Sequence, residues 1–433
     1  MPTLKEEIER VDNVVSYNES IQEVVIRGAR EFPQALIDDF SDHIQIVNAS
    51  GNFFSSLQDS FYQIKPRIVF LSNNPNIVQV PPVLSKCIDL RIQAFKNCGN
   101  LTYYSNEALA PNLEWNILTC TDLDLLPEEI GVRSPKHRKI ALTGNEKLKK
   151  LPESLQECKD LELLRYSACG FEQGPANWIL NHPSLCWFSD TSNGSHNDVW
   201  GYEGEIPIFK RTDLVLEEKF GGNSAGIYSI RDFPGQVAKL FDTQITSDGF
   251  ARDDVLASYE LTRDRSYPQT ATGIITATNG DITGIIMKEF PQGYEELGLR
   301  PNFETVTRDA YPEDRTFSIP VIYKILESVS GQLSRAHKEG ITHGDVYAHN
   351  IMANLSTGAA TLSDFGAAGR FTREDSQRTK LEVRAFGILV DELLQRTTDE
   401  IPTRLEAFKN HCLNPSVKDR ATMSHIYDGF RNI

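Results

Sequence analysis

The 433-residue sequence lacks the features that mark membrane, secreted and nucleic-acid-binding proteins. No apolar run approaches the roughly 20 residues that cross a bilayer, and the N-terminal MPTLKEEIER has no basic-then-apolar signal peptide. Basic residues are scarce, with 44 Lys and Arg against 60 Asp and Glu and a net charge of −16. So acidic a chain offers no basic footprint for nucleic-acid phosphates. These absences predict a cytoplasmic protein with no membrane span and no nucleic-acid partner, and leave open a secretion route without a cleavable signal.

Cysteine is too sparse and too scattered for a framework of disulfides or for zinc. The seven cysteines are an odd number, and no C-x-x-C spacing occurs. We therefore predict free thiols that pack as small buried groups in a reducing compartment. The chain length and an ordinary hydrophobic share of 40% allow two or three globular domains.

The first half of the chain repeats a short pattern. Segments such as RIVFLSNNPNI, KIALTGNEKL and LLRYSACGF have apolar residues two apart, then a small or amide residue three later. The alternation predicts short strands with one face inward. The small or amide residue recurs about every 22 to 25 residues, within the period of leucine-rich repeats. Its column consists of Ala29, Asn52, Asn74, Cys98, Cys120, Asn145, Cys169 and Thr191.

This pattern resembles the leucine-rich repeat family over residues 20–195. The resemblance implies an α/β solenoid, preceded by a charged helical cap at residues 1–19, whose concave strand face binds a protein partner. The strand residues expected to be exposed on that face are Val25, Gln45, Asn48, Phe70, Gln93, Asn116, Ala141 and Arg165.

A linker over residues 196–212, rich in Gly, Ser, Asn and Asp, leads to a second set of motifs. FGGNSAGIYSI is a Gly-rich hairpin, in which backbone N–H groups can approach a phosphate. QVAKLF places Lys239 inside an apolar strand, where it needs an anionic partner. Glu260, in the helical stretch DDVLASYELTRDR, is the predicted partner.

Two later stretches, THGDVYAHNI and SDFGAAG, combine acids and an amide between apolar flanks. Asp345 and Asn350 lie in the first stretch, and Asp364 lies in the second. This set suits a magnesium–phosphate site, because Mg²⁺ takes few protein oxygens and shares the rest with phosphates and water. One of the acids can instead accept the proton of an attacking hydroxyl.

In this order the motifs resemble the eukaryotic-like protein kinase family over residues 213–433. The resemblance implies an α+β bilobal domain that uses ATP and Mg²⁺ as a serine/threonine-type kinase. Asp345 would orient the acceptor hydroxyl, and Lys239, paired with Glu260, would bind phosphates. Asn350 and Asp364 would hold Mg²⁺. The implied nucleotide-binding residues are Gly221, Gly222, Ser224, Gly226, Ala238, Lys239, Glu289, Phe290 and Met352.

Departures from the family's pattern keep two alternatives open. Gly344 replaces the Arg that links the catalytic loop to a phosphorylated activation loop, and Tyr347 stands where a Lys is common. The segment after Asp364 is short and has no A-P-E motif, so Arg420 lacks its usual Glu partner. H-G-D with a short segment also resembles the aminoglycoside and choline kinases, which phosphorylate small hydroxylated molecules. An inactive kinase that serves as an interaction scaffold is the second alternative.

Overall fold

The structure, a computed structural model, describes residues 2–12, 14–191, 193, 206–221, 225–262, 269–372 and 376–432. The chain divides into two compact units, Met1–Glu172 and Gln173–Ile433. Both units mix strands and helices. Most of the predicted linker, residues 196–205, lies outside the described residues.

The first unit opens with a short helix and an antiparallel pair of strands. Helix α1 (Leu4–Glu9) begins at a capping box, in which Thr3 and Glu6 each satisfy a backbone N–H of the other. Strand β1 (Val15–Asn18) then pairs with β2 (Glu23–Ile26). The predicted helical cap therefore ends early, because the alternating burial along β1 suits a strand.

From β2 onward the first unit stacks short parallel strands in register. Ile46, for example, lies beside Ile68, which lies beside Ile92. These buried isoleucines form one apolar cluster. The strands are β3 (Ile46–Asn48), β4 (Ile68–Phe70), β5 (Ile92–Ala94), β6 (Trp115–Ile117), β7 (Lys139–Ala141) and β8 (Leu163–Arg165). The connections contain α2 (Gln34–Phe40), α3 (Ile130–Arg133) and the 3-10 helices Ser41–His43, Asp59–Ile64, Pro82–Lys86, Asn106–Ala108 and Glu153–Glu157.

Buried side chains at the repeated column join neighbouring turns of this stack. Asn52 Nδ2 donates to the carbonyls of Ile26 and Ala49 at 2.8 and 2.9 Å. Asn74 Nδ2 donates to two backbone carbonyls, each at 2.9 Å, and the Cys98 thiol to one at 3.2 Å. These bonds satisfy backbone groups that the turns leave unpaired.

At one of the predicted small-or-amide positions, the neighbouring residue makes the hydrogen bond instead. Thr121, rather than Cys120, donates to the carbonyl three residues earlier, at 3.3 Å. Cys120 has a left-handed backbone, with φ of 55°, and is only partly buried. All seven thiols are free and the other six are buried, which confirms the prediction that the cysteines pack rather than bridge.

Four strand residues that were expected to be exposed are buried: Gln93, Asn116, Ala141 and Arg165. Gln93 Nε2 donates to the Tyr104 hydroxyl and to Asn116 Oδ1, both at 3.1 Å. The exposure prediction is wrong at these positions. For Gln93 and Asn116 the reason is that a buried amide is tolerated when it is hydrogen-bonded. A polar residue in a strand therefore does not by itself identify the exposed face.

The second unit begins at Gln173. Its first elements are α4 (Asn177–Leu180) and β9 (Trp187–Ser189), and β9 lies in the last repeat-like segment, LCWFSDTSN. A six-stranded sheet follows, in the order β10-β14-β15-β13-β12-β11, with only the β10–β14 pair parallel among its described pairs. Its strands are β10 (Ile208–Lys210), β11 (Leu216–Gly221), β12 (Ala225–Ile230), β13 (Gln236–Phe241), β14 (Ala271–Thr276) and β15 (Ile282–Lys288).

Helices dominate the rest of the second unit. Helix α5 (Ala251–Thr262) packs on the sheet through Val255, in one apolar cluster with Val237 and Ile285. The long helix α6 (Ile319–Lys338) buries a stripe at helical spacing that includes Ile322, Leu326 and Val329. The remaining helices are α7 (Arg378–Leu394), α8 (Thr403–Cys412) and α9 (Met423–Arg431), with 3-10 helices Arg211–Asp213, Ala348–Asn350 and Val417–Asp419.

Short strands frame the loops that carry the later motifs. They are β16 (Glu295–Glu296), β17 (Ile341–Thr342), β18 (Ile351–Ala353), β19 (Ala360–Leu362) and β20 (Gly369–Arg370). Strands β16, β18 and β19 form one small antiparallel sheet, and β17 pairs with β20. Across the described residues, no helix combines the length and the apolar character needed to cross a membrane.

Candidate active site

Lys239 stands at the centre of a cluster of charged side chains. Strand β13 places it on the face of the sheet that carries α5. Its Nζ donates to Asp254 Oδ2 at 2.7 Å and to Asp364 Oδ1 at 3.2 Å. The need for an anionic partner, predicted for a lysine inside an apolar strand, is thereby confirmed.

The members of this cluster shift one another's pKa. Burial works to lower the pKa of Lys239, but the carboxylates of Asp254 and Asp364 raise it. The Lys239 ammonium holds the pKa of Asp364 well below its usual range. Burial raises the pKa of Asp254, whose Oδ1 also accepts a hydrogen bond from Ser258 Oγ at 3.1 Å.

Glu260, the predicted partner of Lys239, lies elsewhere. Its carboxylate pairs with the Arg370 guanidinium. Asp254 and Ser258, one turn apart, share the buried face of α5, whereas Glu260 is rotated away from them. The predicted Lys239–Glu260 pair is therefore wrong, and Asp254 takes that place. The helical spacing of Asp254 and Ser258 was a signal in the sequence that could have found it.

Two loops, residues 343–350 and 363–368, carry the other predicted polar residues. The β17–β20 and β18–β19 pairs hold these loops side by side. The Ser363 N–H donates to the Asn350 carbonyl at 2.8 Å. His343, which is 1% exposed, places Nε2 at 3.1 Å from the Ser363 carbonyl. His343 thus joins the two loops.

The backbone and side chain of Asp345 are held from several sides. Asn350 Nδ2 donates to Asp345 Oδ2 at 2.9 Å and to the Asp345 carbonyl at 3.0 Å. Before Asp345, the Gly344 N–H donates to Glu382 Oε1 at 2.7 Å. The second oxygen of Glu382 lies 2.7 Å from His337 Nε2. These bonds tie the Asp345 loop to α6 and α7.

A cleft of about 490 Å³ gathers several of the predicted residues. Lys239, Asn350 and Asp364 line it together with Phe290 and Met352. The lining of the cleft thus combines cationic, anionic and amide groups with apolar side chains.

Two other predicted nucleotide contacts, Ala238 and Glu289, do not line this cleft. Ala238 follows the alternation of β13 and lies on the opposite face from Lys239, packed with Ile286 in an apolar cluster. The predicted adenine contact of Ala238 is therefore wrong. The Glu289 N–H donates to the Gly235 carbonyl at 2.9 Å, so that N–H is already used within the fold.

The Gly-rich hairpin is described only in part. Gly222 and Ser224 lie outside the described residues. Gly221 is the last residue of β11, and Gly226 lies in β12. A Cβ at Gly226 would stand 2.4 Å from the Tyr228 ring, so this glycine permits the ring to pack. The phosphate-binding role of the hairpin stays a prediction.

Arg300 and His349 also line the cleft, and neither was predicted from the sequence as a site residue. The Arg300 charge contributes to the low pKa of Asp364. Reciprocal backbone hydrogen bonds between Leu299 and Ala310, at 2.7 and 2.9 Å, hold the Arg300 segment. No motif marks Arg300, because a lone arginine in an irregular segment has no periodic signature.

His349 is hydrogen-bonded to Asp309, which is in turn hydrogen-bonded to Glu392. Its Nδ1 lies 2.7 Å from Asp309 Oδ1, and its N–H donates to Asp309 Oδ2 at 2.9 Å. Glu392 accepts from the Asp309 N–H at 3.2 Å and from the Tyr311 hydroxyl at 3.1 Å. Burial, followed by the charge of Asp309, raises the pKa of Glu392 to about 8, against an opposing effect of Arg308.

This raised pKa predicts a pH-dependent stability difference in the Glu392→Gln variant. The folded state keeps a proton on Glu392 from its ordinary pKa of 4.5 up to about 8, so the group's contribution to stability falls as pH rises through that window. The free energy of unfolding of the variant, relative to the parent, should improve by about 4 kcal/mol between about pH 5 and about pH 9. Glu400→Gln, at an exposed position, is the control. A difference that is constant with pH would contradict the assignment.

Gly344 should tolerate a side chain poorly. Its φ is +75°, and a Cβ would stand 2.3 Å from the Ala367 carbonyl oxygen. Gly235 is the matched control, with φ of +77° and nothing within 4 Å of its Cβ position. We expect Gly235→Ala to cost about 1 kcal/mol and Gly344→Ala about 3 kcal/mol of unfolding free energy. Equal losses in denaturant titrations would show that Ala367 moves aside freely.

Comparison with known proteins finds a short similarity to a kinase. No protein-family model matches the chain. A stretch of 63 residues is 41% identical to a protein of Dictyostelium discoideum described as a probable serine/threonine-protein kinase. The match covers 14% of this chain and 10% of the relative's length. The chain therefore contains a kinase-like stretch.

Proposed function

We propose that the second unit is an ATP- and Mg²⁺-dependent phosphotransferase of the protein-kinase type that acts on serine or threonine hydroxyls. The observation that supports this most is the cleft that collects Lys239, Asn350 and Asp364 from separate parts of the chain. Its volume of about 490 Å³ lies in the range of small-ligand sites, roughly 300–1,000 Å³. The kinase-like stretch supports the same reaction class.

Lys239 would bind the phosphates of ATP. Its ammonium is fully charged, since both carboxylate neighbours raise its pKa. Asp254, which itself accepts a hydrogen bond from Ser258 Oγ, holds the lysine from the α5 side, so the lysine is oriented before the nucleotide arrives. Phe290 and Met352 would offer the apolar surface that the adenine ring needs.

Asn350 and Asp364 would hold Mg²⁺, and their hydrogen bonds fit that role. Asn350 uses its amide nitrogen toward Asp345, which orients the amide and leaves Oδ1 as the ligand atom. Asp364 contacts Lys239 through Oδ1 alone. Two protein oxygens suit Mg²⁺, which takes its other ligands from phosphates and water. The bound ion would supply neutralising charge at the phosphates.

Asp345 would orient the acceptor hydroxyl and accept its proton as the hydroxyl oxygen attacks the terminal phosphorus. The Asn350 hydrogen bond to Asp345 Oδ2 sets the plane of the carboxylate. Tyr347 cannot neutralise phosphate charge as the family's lysine does. We propose that Arg300, in the wall of the same cleft, supplies that positive charge instead.

We also propose that the first unit is a leucine-rich repeat solenoid that binds a protein partner. The stacked parallel strands and the hydrogen bonds of Asn52 and Asn74 support the assignment. Val25, Gln45, Asn48 and Phe70, the partly exposed members of the predicted strand face, are the proposed contact residues. The free cysteines fit a reducing, cytoplasmic location.

A three-armed assay tests the function. The full chain is incubated with labelled ATP and Mg²⁺ alone, with a generic protein substrate, and with a panel of aminoglycosides and choline. Label on protein that requires Asp345 is the expected result. Label on the small molecules would identify the first alternative instead. Nucleotide binding without transfer in any arm would identify an interaction scaffold.

A further inference from the structure

Residues 181–191, hereafter the strap, pack against the catalytic loop within the second unit. Trp187, which is 1% exposed, donates its Nε1–H to the Val346 carbonyl at 3.0 Å. Its ring stacks on Tyr347, with centroids 4.1 Å apart and planes 7° from parallel. Both contacted residues immediately follow Asp345 in the chain.

Ion pairing anchors the strap to α7. Arg378 donates to both carboxylate oxygens of Asp190, at 2.8 and 3.0 Å. The two side chains are 6% and 11% exposed, so this bidentate pair is shielded from solvent. The Arg378 guanidinium also lies 5.3 Å from the centre of the Phe188 ring. Arg384 Nε donates to the Ser184 carbonyl at 3.1 Å.

Arg420, which lacks the Glu partner usual in protein kinases, also forms a hydrogen bond with the strap. It is 2% exposed, and its guanidinium donates to the Pro183 carbonyl at 2.6 Å. It also donates to the Asn414 and Lys380 carbonyls, at 2.8 and 3.0 Å. A buried guanidinium needs such partners, and one of them comes from the strap.

The strap and α7 therefore hold the Asp345 backbone from both sides. Upstream, the Gly344 N–H is bonded to Glu382, and a Cβ at Gly344 would stand 3.1 Å from the Phe188 carbonyl oxygen. Downstream, the Val346 carbonyl is bonded to Trp187. The two residues that flank Asp345 are thus each bonded through one backbone group to a buried side chain outside the loop.

We propose that the strap does for this enzyme what a long activation segment does in protein kinases, with Trp187 as the positioning residue for Asp345. This inference rests on the proposed phosphotransferase function. The strap belongs to the folded unit, so the loop is held without phosphorylation of the short segment after Asp364. A displacement of about 1 Å at a reacting group lowers rates by about 100-fold, which sets the scale of the expected effect.

The test uses the full chain with Trp187→Phe, which keeps a ring over Tyr347 but loses the N–H donor, and Trp187→Leu, which loses both. Trp178→Phe, in α4, is the matched control. We expect kcat to fall by about 10-fold in Trp187→Phe and about 100-fold in Trp187→Leu, with KM for ATP and the Kd of a nonhydrolysable ATP analogue unchanged within about 2-fold. Hydrogen exchange of the amides of residues 345–350 should accelerate, while that of β13 and β15 stays the same.

Two results would overturn the proposal. One is an unchanged kcat with unchanged loop exchange in folded Trp187→Leu. The other is a loss of analogue affinity with faster exchange throughout the second unit, which would assign Trp187 a general packing role. If Trp187→Leu does not fold, the smaller change in Trp187→Phe decides. If the parent chain transfers no phosphate, the proposed function fails, and the exchange comparison alone decides whether Trp187 holds the loop.

Discussion

Asp345→Asn should lower kcat of phosphate transfer by about 1,000-fold while leaving the affinity for ATP within about 2-fold. The change keeps the shape of the side chain and removes the group that we propose accepts the hydroxyl proton. Asn350 Nδ2 donates to Asp345 Oδ2, and the amide oxygen of the variant can accept the same bond, so the loop should keep its form. Single-turnover rates with labelled ATP, together with nucleotide titration, measure the two quantities separately.

The control for this variant is Asp391→Asn on α7. Asp391 pairs with Lys409 at 3.3 Å on a partly exposed surface of α7, outside both loops that carry the predicted polar residues. Its rate should stay within about 2-fold of the parent, as surface changes away from a site generally do. Transfer by Asp345→Asn at a rate near the parent's would contradict the role given to Asp345, and lost nucleotide affinity would show a structural role instead.

The second large effect is expected for Asp254→Asn, which should impair the use of ATP far more than Glu260→Gln does. Asp254→Asn removes the charge nearest to Lys239 and leaves that ammonium with Asp364 alone, in competition with the proposed Mg²⁺. We expect kcat/KM for ATP to fall by about 100-fold, with a loss of about 1–3 kcal/mol of unfolding free energy, because one partner of a buried pair is lost. The side chains of Lys239 and Asp254 are 13% and 5% exposed, so solvent compensates little.

Glu260→Gln is the matched variant on the same helix. Glu260 pairs with Arg370 on β20, so its loss should change kcat/KM for ATP by no more than about 3-fold. Steady-state kinetics at varied ATP compare the two variants directly. A larger defect in Glu260→Gln than in Asp254→Asn would reverse the assignment and return Glu260 to the side of Lys239.

Motifs that consist of a few consecutive residues can be recognised from the sequence without the structure. H-x-D-x-x-x-x-N and D-F-G each place their polar groups within one loop, so Asp345, Asn350 and Asp364 could be named from local spacing. The need of Lys239 for an anion followed from its apolar neighbours alone. The phase of the repeats was also local, apart from the shift from Cys120 to Thr121.

The errors arose where the answer depends on how one element faces another. Asp254 and Glu260 lie on the same helix, and only the face that packs on the sheet decides which one reaches Lys239. Ala238 was misassigned because its neighbour Lys239 carries the motif, although adjacent strand residues point to opposite faces. Gln93 and Asn116 are polar but bond each other inside the first unit.

By itself the sequence determined the repeat period, the absence of an apolar run long enough for a membrane span, and the order of the groups that we propose for a phosphate and magnesium site. These depend on spacing and composition along the chain. Tertiary structure alone decided that Asp254 holds Lys239, that Arg300 lines the cleft, and that the strap grips the Asp345 loop through Trp187. Partners such as Trp187 and Val346 lie far apart in the chain, and neither carries a local signal of the contact. Their contact exists because burying an indole requires a partner for its N–H, and the folded loop presents a carbonyl there.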